Sequence, residues 1–246
     1  MQIQKALIVV AVFVLAAGTA SADLKIVKME HTDGFNAMGR ETPPTDQEQV
    51  SWLGADRMRM DQGDQSTIIR LDTKKLMILN HDEKTYNTLD LPVDLTKFMP
   101  PGMADQMMAM MTFDVTVTPT DETKTVGVWK ARRYDVTMTS KMATSTMTMW
   151  VTKDATFNQE AFYTMYEHLN SMNPGLADMA KEMRKVEGLV VEQDSVTTMT
   201  IMGNVTIKRT EKATSIEELT PPAGTYDPPA DYTEKPFDLM GAMQRQ

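Results

Sequence analysis

Methionine is the residue type in this sequence with the clearest capacity for chemistry. The 246 residues include 24 Met, three His and no Cys. Met pairs recur three residues apart, as at Met107/Met110, and two residues apart, as at Met147/Met149. Thioether sulfur is a soft ligand that suits Cu(I). Because none of the three His lies within two residues of these pairs, copper handling is kept only as an alternative function.

Residue pairs that could act as acid and base are present but badly oriented. Asp121 and Glu122 are neighbours on a predicted strand or loop, where successive side chains point apart. Glu167 and His168 are neighbours on a predicted helix, and such neighbours do not face each other. The sequence also has no G-x-S-x-G, H-E-x-x-H, P-loop or G-x-G-x-x-G motif. We therefore expect a protein that is not an enzyme and that uses no cofactor.

The charge balance restricts the classes of partner. Asp and Glu total 34 against 25 Lys and Arg, and the formal net charge is −9. Nucleic acid and anionic lipid headgroups both require a positive footprint on the protein, so the composition argues against both. The absence of Cys excludes disulfides, a thiolate metal site and a cysteine nucleophile.

The first 22 residues have the three parts of a secretory signal peptide. Lys5 provides the positive charge, residues 7–17 form an apolar stretch, and Ala20-Ser21-Ala22 gives the small-x-small cleavage pattern. The apolar stretch is shorter than the roughly 20 residues that a membrane-spanning helix needs. We expect cleavage after Ala22 and a periplasmic protein that is not an integral membrane protein once the signal is removed.

Alternation of apolar and polar residues predicts the elements that position the methionines. It is clear over residues 113–117, 134–138 and 147–151, and turn residues recur at intervals of about ten between residues 50 and 89. Side chains on a strand point to opposite faces in turn, so each segment has one apolar and one polar face. This pattern is typical of an antiparallel sheet with one solvated face.

Two stretches break this alternation and predict helices. One begins near Met103 and is apolar on nearly every side up to Met111. The other covers residues 157–186, where apolar residues recur at helical spacing on both sides of Asn173-Pro174-Gly175. We expect one domain over residues 23–230, followed by a loose C-terminal tail over residues 231–246.

Short motifs give the chain a family resemblance. Residues 50–92 contain R-M-R, I-I-R-L-D and a hairpin closing on K-T-Y, and the domain ends in E-L-T-P-P-A-G-T-Y-D-P-P. Residues 126–154 add Gly127, Tyr134, Trp150 and Lys153. In these features the chain resembles an uncharacterised exported domain family near the periplasmic lipoprotein carriers LolA and LolB. The resemblance implies a mainly β (α+β) fold, with a strongly curved antiparallel sheet forming an open half-barrel and helices covering its concave face.

The methionines and the implied fold together suggest a cavity for an apolar ligand. Met fills irregular space and packs again around different partners. We expect a binding or carrier module for a hydrophobic small molecule, lipid, acyl chain or lipidated protein, with an envelope protein as a further candidate partner. A structural or protein-interaction module with a filled core is an alternative. The candidate ligand-binding residues are Met107, Met110, Met111, Phe113, Met147, Met149, Phe162, Met165, Tyr166 and Leu169, and no metal site is expected.

Overall fold

The computed structural model describes residues 22–37, 39–98, 112–170, 177–200 and 204–238. Most of this chain is β-strand. The strands are β1 (Asp23–Thr32), β2 (Phe35–Ala37), β3 (Arg40–Thr42), β4 (Thr45–Leu53), β5 (Arg57–Gln62), β6 (Gln65–Arg70), β7 (Lys75–Asn80), β8 (Thr85–Asp90), β9 (Asp114–Val126), β10 (Trp129–Thr139), β11 (Ala143–Thr152), β12 (Leu189–Met199), β13 (Val205–Leu219) and β14 (Thr233–Glu234).

Twelve of the described strands form one sheet, in the order β14-β8-β7-β6-β5-β4-β1-β13-β12-β11-β10-β9. Neighbours in this sheet pair antiparallel, except that β14 pairs parallel with β8. Strand β1 lies in the interior and joins the N-terminal strands, through β4, to the C-terminal strands, through β13. Strands β9 and β14 occupy the two edges, so the sheet is not closed. The prediction of a mainly β, antiparallel fold is confirmed.

Two helices connect strands β11 and β12, where the sequence predicts them. Helix α1 covers Gln159–Asn170 and helix α2 covers Ala177–Met183. Helix α1 begins at an N-cap, because the side-chain oxygen of Asn158 accepts a hydrogen bond from the Ala161 amide at 3.1 Å. A 3-10 turn forms at Leu95–Phe98. The helix predicted near Met103 lies outside the described residues. Neither described helix has the length and apolarity that crossing a membrane requires.

Two groups of buried apolar residues form on one side of the large sheet. Cluster A belongs to the strands around β1 and includes Met165 from helix α1, and cluster B belongs to β9–β12 with Val186 from the segment after helix α2. Cluster A consists of Leu24, Ile26, Leu53, Met58, Ile69, Leu76, Leu89, Leu91, Val93, Met165 and Leu189. Cluster B consists of Val117, Tyr134, Val136, Met149, Val151 and Val186.

The C-terminal segment 220–232, here called the strap, covers the opposite side of strands β4–β8. Tyr226 is buried there in a third cluster with Ile68, Met77 and Leu79, and its hydroxyl donates to the Asp23 carboxylate at 2.7 Å. Residues 231–238 are the described part of the predicted loose tail, and they are held to the sheet. Within this stretch, Thr233–Glu234 forms β14 beside β8, and the Phe237 ring meets the Phe98 ring in an edge-to-face contact with centroids 5.2 Å apart.

Candidate functional site

A cavity of about 300 Å³ lies between cluster A and cluster B. Residues from both clusters line it, together with side chains from helices α1 and α2. The described lining residues are Ile26, Lys28, Gln49, Ser51, Leu53, Met58, Met60, Met147, Met149, Phe162, Tyr163, Tyr166, Leu169, Met179, Met183, Val186, Gly188, Leu189, Val190 and Gln193. The volume is at the lower end of the range of about 300–1,000 Å³ typical of ligand pockets.

Methionine is the most frequent residue type in the lining. Six of the lining residues are Met, contributed by β5, β11 and helix α2: Met58, Met60, Met147, Met149, Met179 and Met183. The strand pairs are separated by two residues, so both members of each pair lie on the same face of the sheet. Flexible thioether side chains allow the shape of such a wall to adapt to its contents.

Helix α1 contributes an aromatic part of the wall. Phe162 and Tyr166 line the cavity one helical turn apart, and their rings stack at a centroid distance of 6.4 Å. Phe157 meets the edge of the Phe162 ring at 5.6 Å. Leu169 extends the same helical stripe into the cavity lining. This wall is therefore rigid where the methionine wall is adaptable, since aromatic rings have few rotatable bonds.

The cavity face of the sheet changes from apolar to polar along the strands. On β4, Leu53 is followed by Ser51 and then Gln49 along that face. On β1 the change is from Ile26 to Lys28, and the two strands are in register because Ile26 pairs with Ser51 and Lys28 pairs with Gln49. The part of the cavity wall that β1 and β4 form therefore has an apolar end and a polar end.

Hydrogen bonds and ion pairs order the polar side chains just beyond this end. The Gln62 side-chain amide donates to Gln47 at 3.1 Å and to the Glu30 carboxylate at 3.4 Å. The Lys28 ammonium lies 3.7 Å from the Glu211 carboxylate, and its side chain is 19% exposed. These contacts cross from β5 through β4 and β1 to β13, so the polar end is built by four strands.

The segment between helix α2 and β12 forms a tightly packed corner of the cavity. The Tyr163 hydroxyl donates to the Val186 carbonyl, which also accepts from the Gln159 side-chain amide at 3.1 Å. Burial raises the pKa of Tyr163 above its usual value, so the phenol keeps its proton. At Gly188 the backbone has φ +134°, and a Cβ there would overlap the Thr152 carbonyl oxygen. Only glycine fits this corner without strain.

Polar contacts at the protein surface attach helix α2 to its neighbours. Arg184 follows the helix and donates to the carboxylates of Glu160, at 2.9 Å, and Glu167, at 2.7 Å, on helix α1. The Glu182 carboxylate accepts from the Val117 amide on edge strand β9 at 3.0 Å and from Lys185 at 2.6 Å. The Lys185 and Val117 contacts lower the pKa of Glu182.

Five of the ten predicted ligand-binding residues line the cavity together. They are Met147, Met149, Phe162, Tyr166 and Leu169. Met165 instead points into cluster A and is fully buried, and half-buried Phe113, just before β9, is not among the described lining residues. Met107, Met110 and Met111 lie outside the described residues.

Sequence reasoning missed two groups of lining residues. Met58 and Met60 have the same two-residue spacing as Met147 and Met149, so their shared face was a usable signal. The polar group at the other end includes Lys28 and Gln193. No local pattern marks that group, because strand register across β1, β4 and β12 brings it together. Within the described ranges, no three His, Asp or Glu side chains are close enough to hold a metal ion.

Comparison with known proteins gives a family and a distant structural likeness. A family model described as a domain of unknown function (DUF4412) matches residues 34–232. No curated protein matches the chain. Two solved structures of PNGF-II, in space groups P21 and C2, are similar to it with TM-scores of 0.44 and 0.39 at 12% and 10% identity. They cover 92% and 89% of this chain, which spans only 33% and 32% of theirs.

Proposed function

Because the chain belongs to the DUF4412 family, a domain of unknown function, we propose a function from the cavity itself. The protein is a binding or carrier module for an apolar ligand: a lipid, an acyl chain or the acyl part of a lipidated protein. The ligand's apolar part occupies the space between clusters A and B. An exported, periplasmic location after removal of residues 1–22 belongs to the same proposal.

The observation that carries this proposal is apolar space between two separately packed cores. Protein interiors are normally packed as densely as organic crystals, and atoms that face a void lose their dispersion contacts. The cavity of about 300 Å³ borders apolar side chains from both clusters and both helices. An apolar cavity of about 150 Å³ is already large enough to take a benzene-sized ligand. A bound acyl chain would restore the contacts that the empty cavity lacks.

Access to the cavity involves helices α1 and α2 in this proposal. The large sheet curves into an open half-barrel, and the helices cover its concave face. Helix α2 is attached through Arg184 and Glu182 at the surface, and exposed ion pairs of this kind contribute at most about 1 kcal/mol each. Movement of helix α2 away from the sheet would open the part of the methionine wall that Met179 and Met183 form. This arrangement parallels that of the LolA and LolB carriers, near which the sequence resemblance places the chain's family.

A cavity-filling substitution tests the proposal. Ser51→Met places a long side chain inside the cavity, whereas the control Val50→Met places the same side chain on the opposite face of β4. After delipidation, we expect the wild-type protein and Val50→Met to take up a fluorescent acyl probe saturably. We expect Ser51→Met to bind at least about tenfold more weakly, a change of about 1.4 kcal/mol.

Two results would overturn the proposal. One is the absence of saturable uptake by the wild-type protein, which would favour the alternative of a structural or interaction module. The other is equal binding by wild type and Ser51→Met when both have the same thermal stability. Mass spectrometry of lipid that co-purifies from the native host provides an independent measurement of cavity occupancy.

Copper handling is the second candidate, and the six lining methionines favour it. Met58, Met60, Met147 and Met149 bring thioethers from two strands to one cavity, and Cu(I) prefers such soft ligands. Titration with Cu(I) under reducing conditions should then be saturable, and binding should weaken in a Met147→Leu, Met149→Leu variant. Acyl-probe uptake that is unchanged by bound Cu(I) would separate the two activities.

A further inference from the structure

We propose that the ligand is a single-chain amphiphile with an anionic head group, a carboxylate or a phosphate. This inference rests on the proposed function and specifies its ligand. The chain lies beside Met58 and Met60 of β5 and the aromatic residues of helix α1. The head group lies at the polar end, against the Lys28 ammonium.

The first step is the direction in which the cavity wall changes polarity. Three adjacent strands change along the same face and in register. On β5, Met58 and Met60 are followed by Gln62 on this face, and Gln62 pairs with Gln49 of β4. Gln49 pairs in turn with Lys28 of β1. A wall that is apolar at one end and hydrogen-bonding at the other fits a ligand with the same division.

The second step is the charge at the polar end. Lys28 is the one cation among the described lining residues, and no Asp or Glu is among them. The nearest carboxylate to its ammonium is that of Glu211 at 3.7 Å, a separation longer than a hydrogen bond. An ammonium has three N–H donors, so Lys28 can donate to a ligand anion without leaving Glu211.

Neutral donors line the cavity together with this cation. Gln49, Ser51 and Gln193 line the same cavity, and their amide and hydroxyl groups can donate hydrogen bonds to head-group oxygens. Charge-assisted hydrogen bonds are the strong ones, particularly where little water competes. The net charge of −9 does not oppose such a site, because a half-buried cation acts over a few ångströms.

The third step is the size of the cavity. At about 300 Å³, the cavity is at the lower end of the range of about 300–1,000 Å³ typical of ligand pockets. That space accommodates one short acyl chain. A lipid with two or three chains would leave the others in water, so we infer that the ligand has one chain.

Calorimetric titration of the delipidated protein with matched twelve-carbon ligands tests the inference. The ligands are dodecanoate, dodecyl phosphate, 1-dodecanol and dodecyltrimethylammonium, each kept below its critical micelle concentration. We expect the better of the two anions to bind at least about tenfold more tightly than the alcohol or the cation, as for one charged hydrogen bond. The ratio of dodecanoate to dodecyl phosphate then identifies the head group.

Two substitutions with opposite expected effects locate the head group. Lys28→Gln should remove the preference for anions and leave dodecanol binding unchanged. Glu211→Gln should tighten anion binding about threefold, because it removes the carboxylate that competes for Lys28. The control Lys25→Gln changes a lysine on the opposite face of β1, beside Trp52, and should have no effect.

The outcomes separate this inference from the function on which it rests. Dodecanol binding as tight as anion binding in the wild-type protein would overturn the inference and leave the proposed function standing. An anion preference that survives in Lys28→Gln would also overturn it. If none of the four ligands binds to the folded protein, the proposed function itself fails. Thermal melting of each variant establishes that it is folded before binding is compared.

Discussion

Strands β4–β7 have two faces, and the packing against one face differs from the packing against the other. On the strap face, Ile68 and Leu79 are fully buried beneath Tyr226 and its neighbours. On the cavity face, Met58 and Met60 border the space of about 300 Å³. The same strands therefore support a filled layer on one side and, on the other, part of cluster A and the space that Met58 and Met60 border.

Polar contacts hold the strap in one position. Arg59 donates to the Thr225 carbonyl at 3.0 Å and to Asp61 at 2.7 Å. Ser66 donates to Asp61, so it accepts from His81 Nε2 at 2.6 Å, and His81 Nδ1 accepts from the Tyr232 hydroxyl at 2.7 Å. A connected network of this kind rigidifies a structure because each bond depends on its neighbours.

The cavity face is held differently. Its apolar wall combines six unbranched methionines with aromatic rings and branched aliphatic side chains. Met specifies packing poorly because it has three rotatable bonds. The strap face is filled, whereas the cavity face combines the packed residues of clusters A and B with an unfilled space between them. A substitution beneath the strap should mainly change stability, and one at a residue that borders the cavity should mainly change binding.

The largest effect should come from the corner that supports the cavity. Gly188→Ala places a Cβ against the Thr152 carbonyl oxygen and forces a non-glycine residue to a φ of +134°. We expect a loss of at least about 3 kcal/mol in the free energy of unfolding, because both backbone strain and a backbone shift are required. Chemical denaturation followed by tryptophan fluorescence measures this loss.

The strap provides the control for this substitution. Gly224 also has a positive φ, +81°, but a Cβ added there would meet no heavy atom within 4 Å beyond its chain neighbours. Gly224→Ala should therefore cost only the conformational strain of about 1–2 kcal/mol. Equal losses at the two glycines would show that the close approach at Thr152 does not constrain the cavity corner.

A second pair of substitutions compares the two faces directly. Leu79→Ala removes a fully buried side chain from the strap face, and we expect a loss of about 3 kcal/mol, typical of a filled core. Met60→Ala removes a partly buried side chain that already borders open space, so the loss should be about 1 kcal/mol. Met60→Ala should alter acyl-probe affinity, and Leu79→Ala should not. The reverse order of stabilities would contradict the distinction between the faces.

Local patterns were sufficient to predict most of the secondary structure. Alternation over residues 134–138 and 147–151 predicted strands β10 and β11, and the turn signals between residues 50 and 89 predicted the β4–β8 meander. Helical spacing around Asn173-Pro174-Gly175 predicted both described helices. These signals are local, because a side chain's face follows from the period of its own segment.

The parts that depend on distant pairing were not predictable in the same way. Thr233 pairs with Thr85, so β14 depends on a contact between segments far apart in the sequence. At the site, periodicity placed Phe162, Met165 and Tyr166 on one apolar stripe, but only the packed structure shows that Met165 enters cluster A. The order of the strands brings Lys28 and Gln193 to the same cavity, and no spacing within one segment encodes that order.

The smallest predicted effect is the pH dependence of the stability that Glu182 provides where helix α2 meets β9. Contacts with Lys185 and the Val117 amide lower the pKa of Glu182. The stabilisation is therefore present above the unfolded value of about 4.3 and is lost as the pH falls through the lower folded value. We expect Glu182→Gln to lower the melting temperature by about 2 °C at pH 7, with the difference from wild type shrinking below about pH 4.

A carboxylate on β9, the edge strand that carries Val117, provides the control for this pH dependence. Glu122 accepts from Arg133 at 2.9 Å, outside the helix α2 contact. Because exposed pairs of this kind contribute little, Glu122→Gln should change the melting temperature less than Glu182→Gln at pH 7. Hydrogen exchange of the Val117 amide should accelerate in Glu182→Gln, whereas amides beneath the strap should be unaffected. A difference between Glu182→Gln and wild type that stays constant from pH 7 to pH 3 would show that the carboxylate charge does not hold helix α2 against β9.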